Sequence, residues 1–101
     1  MLEHITKENF KDFYTNNKLC IVDFWTTWCG PCRMLTPNLE KLSNEGFVVG
    51  KINVDEEDEL SALFNVEAIP TILLFKDGKV VSKNVGYMSY DDLKAWVLKN
   101  E

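Results

Sequence analysis

The run from Leu19 to Trp25, LCIVDFW, restricts the fold of this chain more than any other segment. Its residues are almost all apolar, which is typical of a strand covered on both faces, as in a parallel sheet. Asp23 is the one charged residue within it. A sheet that contains such a strand needs helices on both sides, and the run therefore predicts an α/β fold with three layers, α/β/α.

Four other segments have apolar residues at the i, i+3, i+4 spacing of an amphipathic helix. Thr6 is a candidate N-cap for the first, and Pro31 and Gly46 are candidate first and last residues for the second. Ser89, followed three residues later by Asp92, resembles a capping box before the fourth. The predicted inner faces are, in chain order, Phe10, Phe13 and Tyr14; Leu35, Leu39 and Leu42; Leu60, Leu63 and Phe64; and Leu93, Trp96 and Val97.

Strand patterns lie between these helices. The predicted strands are 19–25, 47–54, 71–75 and 80–85, and the segment 2–5 is too short to assign by itself. Asp77-Gly78 is typical of a hairpin turn between the last two strands. The predicted order is βαβαβαββα, in which strands joined by helices are parallel and the hairpin pair is antiparallel, so the sheet is mixed. Since no linker or repeat interrupts the pattern, we expect one domain over residues 1–101.

Charge and hydropathy exclude several classes of function. Sixteen acidic residues against eleven basic ones give a net charge of -5 and a pI near 4.8, which disfavours nucleic acid and anionic membranes as partners. No apolar run approaches the roughly 20 residues of a membrane-spanning helix. The charged residues between Glu3 and Asp12 are unlike a signal peptide. We expect a cytoplasmic protein, and a monomer.

The cysteines point to redox chemistry. Their number is odd, and a chain of 101 residues with an ordinary core does not need a disulfide scaffold. The motif Trp28-Cys29-Gly30-Pro31-Cys32 lies where the buried strand ends and the second helix begins. Unpaired N–H groups and the positive end of the helix dipole stabilise an ionised sulfur there, so Cys29 is the predicted nucleophile.

The two residues between the cysteines suit this position. Pro31 fits the first helical turn and leaves the amide of Cys32 free to point at the Cys29 sulfur, while Gly30 permits a tight turn. Residues three apart at a helix start can bring their α-carbons to about 5 to 6 Å, which suits a disulfide. A two-step exchange follows, in which the Cys29 thiolate attacks a substrate disulfide and Cys32 resolves the mixed disulfide.

Two further side chains belong to the apolar run itself. Burial should raise the pKa of the Asp23 carboxyl, and a carboxyl that stays neutral near pH 7 can carry protons. Cys20 is predicted to be a small inert core residue.

Four segments resemble the thioredoxin family in their order and spacing across nearly the whole chain. They are DFWTTWCGPCRMLTP (23–37), KINVDEE (51–57), AIPTILLFKDGK (68–79) and VGYMS (85–89). The resemblance implies the thioredoxin fold, with a central five-stranded sheet and four helices. It also implies a protein-disulfide reductase that acts on diverse disulfide-containing client proteins, is recharged by a thioredoxin reductase and needs no cofactor besides its Cys29–Cys32 disulfide.

The resemblance also assigns roles to residues. It places Asp23 beneath the cysteines as the acid/base that deprotonates Cys32, and Lys51 nearby as a modulator of the Asp23 pKa. It makes the peptide bond before Pro70 cis, so that the Ile69 backbone lies beside Cys29. The implied client-binding surface consists of Trp28, Gly30, Pro31, Ile69, Pro70, Val85 and Gly86.

The same residues are compatible with other functions. A disulfide oxidant or isomerase uses the same fold, and a non-redox binding module could use the same apolar surface. A metal site would need Cys20, Cys29, Cys32 and His4 to converge. Two features differ from the family's commonest form: Thr26 stands where alanine is usual, and the connection between the first helix and the second strand is short. The Thr26 hydroxyl could add a hydrogen bond near the cysteines and so affect the redox potential. Tyr87, after Gly86, could also narrow the client surface.

Overall fold

The computed structural model describes residues 2–101 and contains a sheet of five strands with helices on both faces. The elements, in chain order, are β1 (Glu3–His4), α1 (Phe10–Thr15), β2 (Leu19–Trp25), α2 (Gly30–Asn44), β3 (Val48–Asn53), α3 (Asp58–Leu63), β4 (Thr71–Lys76), β5 (Lys79–Val85) and α4 (Tyr90–Lys99). The predicted order, the three layers and the mixed sheet are confirmed.

Strand β2 lies at the centre of the sheet, whose order is β1-β3-β2-β4-β5. It pairs with β3 in parallel and with β4 antiparallel. Every residue from Cys20 to Phe24 is completely buried, as the apolar run predicts.

The direction of β4 differs from the prediction. Strands joined by helices were expected to be parallel, but β4 runs antiparallel to β2, and hence to β3, although α3 connects β3 to β4. Although 17 residues separate β3 from β4, α3 and its flanking loops do not carry the chain back to the edge of the sheet where β3 begins. As a result β4 begins at the edge where β2 ends, and Thr71 lies opposite Phe24.

Two clusters of buried apolar side chains pack against opposite faces of the sheet. Side chains from α1 and α3 cover one face, and side chains from α2 and α4 cover the other. Cys20, Val22 and Phe24 belong to the first cluster, and Ile21 belongs to the second, as the two-residue period of a strand requires. The same period directs the side chain of Asp23 towards α2.

Two local predictions were wrong. Thr6 does not cap α1, because the Asn9 side chain accepts the Thr6 N–H (2.8 Å) and closes a turn before the helix begins at Phe10. Leu63 is 70% exposed, since α3 ends there and Leu60 takes the inward position.

The predicted chain reversals are confirmed. Asp77 and Gly78 both have positive φ, as a tight hairpin turn requires. Ser89 accepts the N–H of Asp92 at 3.2 Å and caps α4. Within residues 2–101, no helix has the length and apolar character needed to cross a membrane.

Candidate active site

The cysteine pair lies between the end of β2 and the first turn of α2. Cys29 is the N-cap residue with an extended backbone, and Pro31 occupies the first turn, where its missing N–H leaves no helical bond unmade. Cys29 and Cys32 form a disulfide, and their α-carbons are 5.2 Å apart. The predicted separation and pairing are therefore confirmed.

The two sulfur atoms have different surroundings. Cys29 Sγ accepts the backbone N–H of Cys32 at 3.2 Å, at the positive end of a helix of fifteen residues. Cys29 is 6% exposed, whereas Cys32 is completely buried. An incoming sulfur can therefore reach Cys29 and cannot reach Cys32.

Asp23 is a completely buried carboxyl on the face of β2 that α2 covers. Neither of its oxygens has a hydrogen-bond partner among residues 2–101. Burial raises the pKa of Asp23 from 3.8 to about 7, and the positive charge of Lys51 partly opposes this rise. The carboxyl can therefore gain or lose a proton near neutral pH.

Lys51 lies directly opposite Asp23 in the pairing of β2 with β3. Its ammonium lies 3.8 Å above the centre of the Trp25 ring and donates a hydrogen bond to the Thr36 hydroxyl at 3.0 Å. Burial lowers the pKa of Lys51, while the negative charges of Asp23 and Glu40 oppose the change. The structure thus brings Lys51 next to Asp23.

The loop before β4 completes the surroundings of Cys29. The Ile69–Pro70 peptide bond is cis, as the resemblance implied, and the Ile69 carbonyl oxygen is 3.9 Å from Cys29 Sγ. The Pro70 carbonyl accepts the N–H of Gly86 at 2.8 Å, which joins this loop to the end of β5. Gly86 has a φ of 100°, and a Cβ atom added there would have no atom of another segment within 4 Å.

Side chains around the disulfide present apolar surface to solvent. Trp28 is 68% exposed and Val85 is 54% exposed, so Val85 is not a core residue. Pro70 itself is buried beneath this surface, and Ile69, like Gly30, is partly exposed. Pro31, two residues beyond Cys29 in the chain, is exposed.

Three contacts at the site were not predicted. The indole N–H of Trp28 donates a hydrogen bond to the Asp55 carboxylate at 2.9 Å. The amide of Asn38 in α2 donates to the phenol oxygen of Tyr87 at 3.2 Å. The third contact is the hydrogen bond from Lys51 to Thr36. No sequence pattern around Thr36 indicates this bond.

Thr26 does not form the hydrogen bond that its hydroxyl suggested. Its side chain is completely buried, and its oxygen has no partner among residues 2–101. Tyr87, beside Gly86, is 45% exposed.

The four residues of the alternative metal site do not form one group. Cys20 packs on the sheet face opposite α2, where burial, followed by the charge of Glu3, raises its pKa to about 11. His4 lies on β1 and is 3.8 Å from the carboxylate of Glu56. Over residues 2–101, no three side chains of His, Cys, Asp or Glu are placed to hold a metal ion.

Comparison with known proteins points to one family. The family profile described as Thioredoxin matches residues 1–99. A thioredoxin of Chlamydia pneumoniae is 48% identical over 88 residues, which are 85% of each chain. A thioredoxin of Alicyclobacillus acidocaldarius is 40% identical over 94 residues, which are 90% of each chain.

Solved structures agree. A mutant thioredoxin from Halobacterium salinarum superposes with a TM-score of 0.92 at 34% identity, covering 96% of this chain and 88% of that one. With the fold, the cysteine pair and these relatives together, the chain belongs to the thioredoxin family of thiol-disulfide oxidoreductases.

Proposed function

We propose that this protein reduces disulfides in client proteins, with Cys29 as the nucleophile and Cys32 as the resolving thiol. One observation carries the assignment: Cys29 Sγ sits at the start of α2 and accepts the Cys32 N–H at 3.2 Å, while Cys32 is inaccessible. A negative charge on Cys29 is stabilised by that N–H and by the helix dipole. Only the sulfur that can be reached and ionised can begin the exchange.

The exchange then runs in two balanced steps. The Cys29 thiolate attacks one sulfur of the client disulfide, a Cys29–client disulfide forms, and the other client sulfur leaves as a thiolate. Cys32 loses its proton and attacks Cys29 Sγ, which forms the Cys29–Cys32 disulfide and releases the second client sulfur. The client gains two electrons, and the dithiol loses two.

Asp23 is the proposed acceptor of the Cys32 proton. It is buried on the face of the sheet under α2, and its pKa of about 7 lets it take a proton at neutral pH. Lys51 is the proposed modulator of that pKa, because its positive charge opposes the effect of burial.

The proposed client surface consists of the residues around Cys29. An extended client segment can lie across Trp28, Ile69 and Val85, and its backbone can bond to that of Ile69 as an added strand would. The open space at Gly86 admits the segment without a clash. Because few side chains of this surface would contact a client segment specifically, the surface suits many different clients.

The proposal also includes the source of electrons, the oligomeric state and the cellular compartment. A thioredoxin reductase reduces the Cys29–Cys32 disulfide after each cycle, and no cofactor beyond that disulfide takes part. The protein acts as a single domain and a monomer in the cytoplasm, where thiols are kept reduced.

A trapping experiment tests the assignment. Cys32→Ser should accumulate a covalent complex with a disulfide-containing client such as insulin, since the mixed disulfide has no resolving thiol. Cys29→Ser should form no complex and reduce no insulin, while Cys20→Ala, which leaves the pair intact, should keep its activity. Mixed-disulfide formation by Cys29→Ser, or none by Cys32→Ser, would refute the assigned roles.

A further inference from the structure

The Thr36 hydroxyl links Lys51 of β3 to the backbone of Cys32 in the first turn of α2. The O–H group donates a hydrogen bond to the carbonyl oxygen of Cys32 at 3.1 Å, and its oxygen accepts one from the Lys51 ammonium at 3.0 Å. A hydroxyl has one proton to donate, and here the Cys32 carbonyl takes it. The lone pairs of the Thr36 oxygen are therefore left for Lys51.

The position of Lys51 is unexpected for a residue opposite a carboxylate. Lys51 and Asp23 are register partners on adjacent strands, where an ion pair could form. Yet neither Asp23 oxygen receives a hydrogen bond from any of residues 2–101. The ammonium instead rests between the Trp25 ring, at 3.8 Å, and the Thr36 hydroxyl.

We propose that Thr36 is a positioning residue for the resolving step: by accepting the Lys51 ammonium, it holds that charge against α2 and away from the Asp23 carboxyl. This rests on the proposed function of Asp23 as proton acceptor. A carboxylate paired directly with an ammonium is a weak base, because the cation stabilises its charged form. An unpaired Asp23 keeps the basicity that the Cys32 proton requires.

The charges that act on this pair are few. The register partners of Asp23 are Lys51 on β3 and the uncharged Ile72 on β4. The helix over this face, α2, carries the Cys32 thiol. Lys51 faces Asp23 from β2 and Glu40 from α2, one turn beyond Thr36. If Thr36 loses its oxygen, the ammonium can turn to Asp23 or to Glu40, and the two routes have opposite effects on the carboxyl.

Titration of Asp23 by ¹³C NMR in the oxidised protein tests the proposal. The variants are Thr36→Val, which removes the acceptor at nearly equal volume, and Thr36→Ser, which keeps it. We expect the pKa of Asp23 to fall by roughly 1 or more in Thr36→Val, as for a carboxyl that gains a nearby cation, and to stay at the wild-type value in Thr36→Ser. Asp23→Asn identifies the resonance.

A double-variant cycle separates positioning from general disturbance. In a Lys51→Met background, Thr36→Val should no longer change the Asp23 pKa, because there is no ammonium to release. Thr36→Ala replaces Thr36→Val if the latter does not fold. An unchanged or raised pKa in the variant without the hydroxyl, or the same fall in the Lys51→Met background, would overturn the proposal.

A kinetic measurement distinguishes a failure of this inference from a failure of the proposed function on which it rests. The rate of the resolving step can be followed with an aromatic disulfide that releases a coloured thiol at each step. Its pH midpoint should move down with the Asp23 pKa in Thr36→Val. If the pKa moves and the midpoint does not, the placement of Lys51 by Thr36 stands and the proton-acceptor role of Asp23 fails.

Discussion

Replacing Asp23 with asparagine should stabilise the oxidised protein, and the gain should increase with pH. Folding raises the pKa of the Asp23 carboxyl from 3.8 to about 7, because the carboxyl is completely buried. Between these values the folded protein holds a proton that the unfolded chain has released, so the free energy of unfolding falls as the pH rises. Asparagine has nearly the same shape and no proton to lose.

The size of the effect follows from the two pKa values. Their difference of about 3, at about 1.4 kcal/mol per pH unit, gives a penalty of ~4 kcal/mol once Asp23 is fully ionised. The gain in the free energy of unfolding from Asp23→Asn should be small below pH 4. It should increase by about 1.4 kcal/mol per pH unit between the two pKa values and level off above pH 8. This is a large fraction of the 5 to 15 kcal/mol that stabilises a typical domain.

Urea unfolding of both proteins in the disulfide form, at intervals from pH 4 to 9, measures this difference. Groups common to both proteins cancel, so the difference between the two curves isolates Asp23. Lys51→Met should move the levelling-off to a higher pH, because it removes the cation that opposes the effect of burial. A difference between wild type and Asp23→Asn that stays constant from pH 4 to 9 would show that the reasoning about this carboxyl is wrong.

Three further predictions concern the exchange and the packing. Asp23→Asn should slow the resolving step at pH 7 and leave the first attack by Cys29 unchanged, and stopped-flow release of a coloured thiol separates the two. Gly86→Ala should cost about 1–2 kcal/mol because of its positive φ. Its added methyl should also slow the reduction of protein clients more than that of a small disulfide. Gly50→Ala should cost about 1–3 kcal/mol, since its Cβ would lie 2.6 Å from the Ile5 side chain; denaturant unfolding should show partial recovery with Ile5→Val.

The local patterns predicted most of the fold. The apolar run around Ile21 indicated a central strand, and Asp77-Gly78 a hairpin, because both depend on neighbouring residues alone. The antiparallel direction of β4 was not predictable in this way. It depends on the path of the whole connection between β3 and β4, and helical spacing does not report where the following strand begins.

The same distinction between local and long-range features applies to the candidate site. The order of residues from Trp28 to Cys32 placed a sulfur at a helix start, and the structure has that arrangement. The bonds from Trp28 to Asp55 and from Lys51 to Thr36 join residues that are 27 and 15 positions apart. Such contacts have no sequence signal, because they depend on how α2 and the strands lie against each other.

The sequence by itself therefore determined the chemistry this chain can carry: a reactive sulfur pair at a helix start, an acidic group in a core strand and the order of elements that bury it. These follow from short-range spacing and from the cost of hydrating apolar residues. The residue patterns did not show which cation faces that acid or which loop borders the sulfur, although the family resemblance implied both, and only the tertiary structure decided where the ammonium of Lys51 rests. Burial and distance between remote segments set those interactions, and neither quantity exists until the layers have packed.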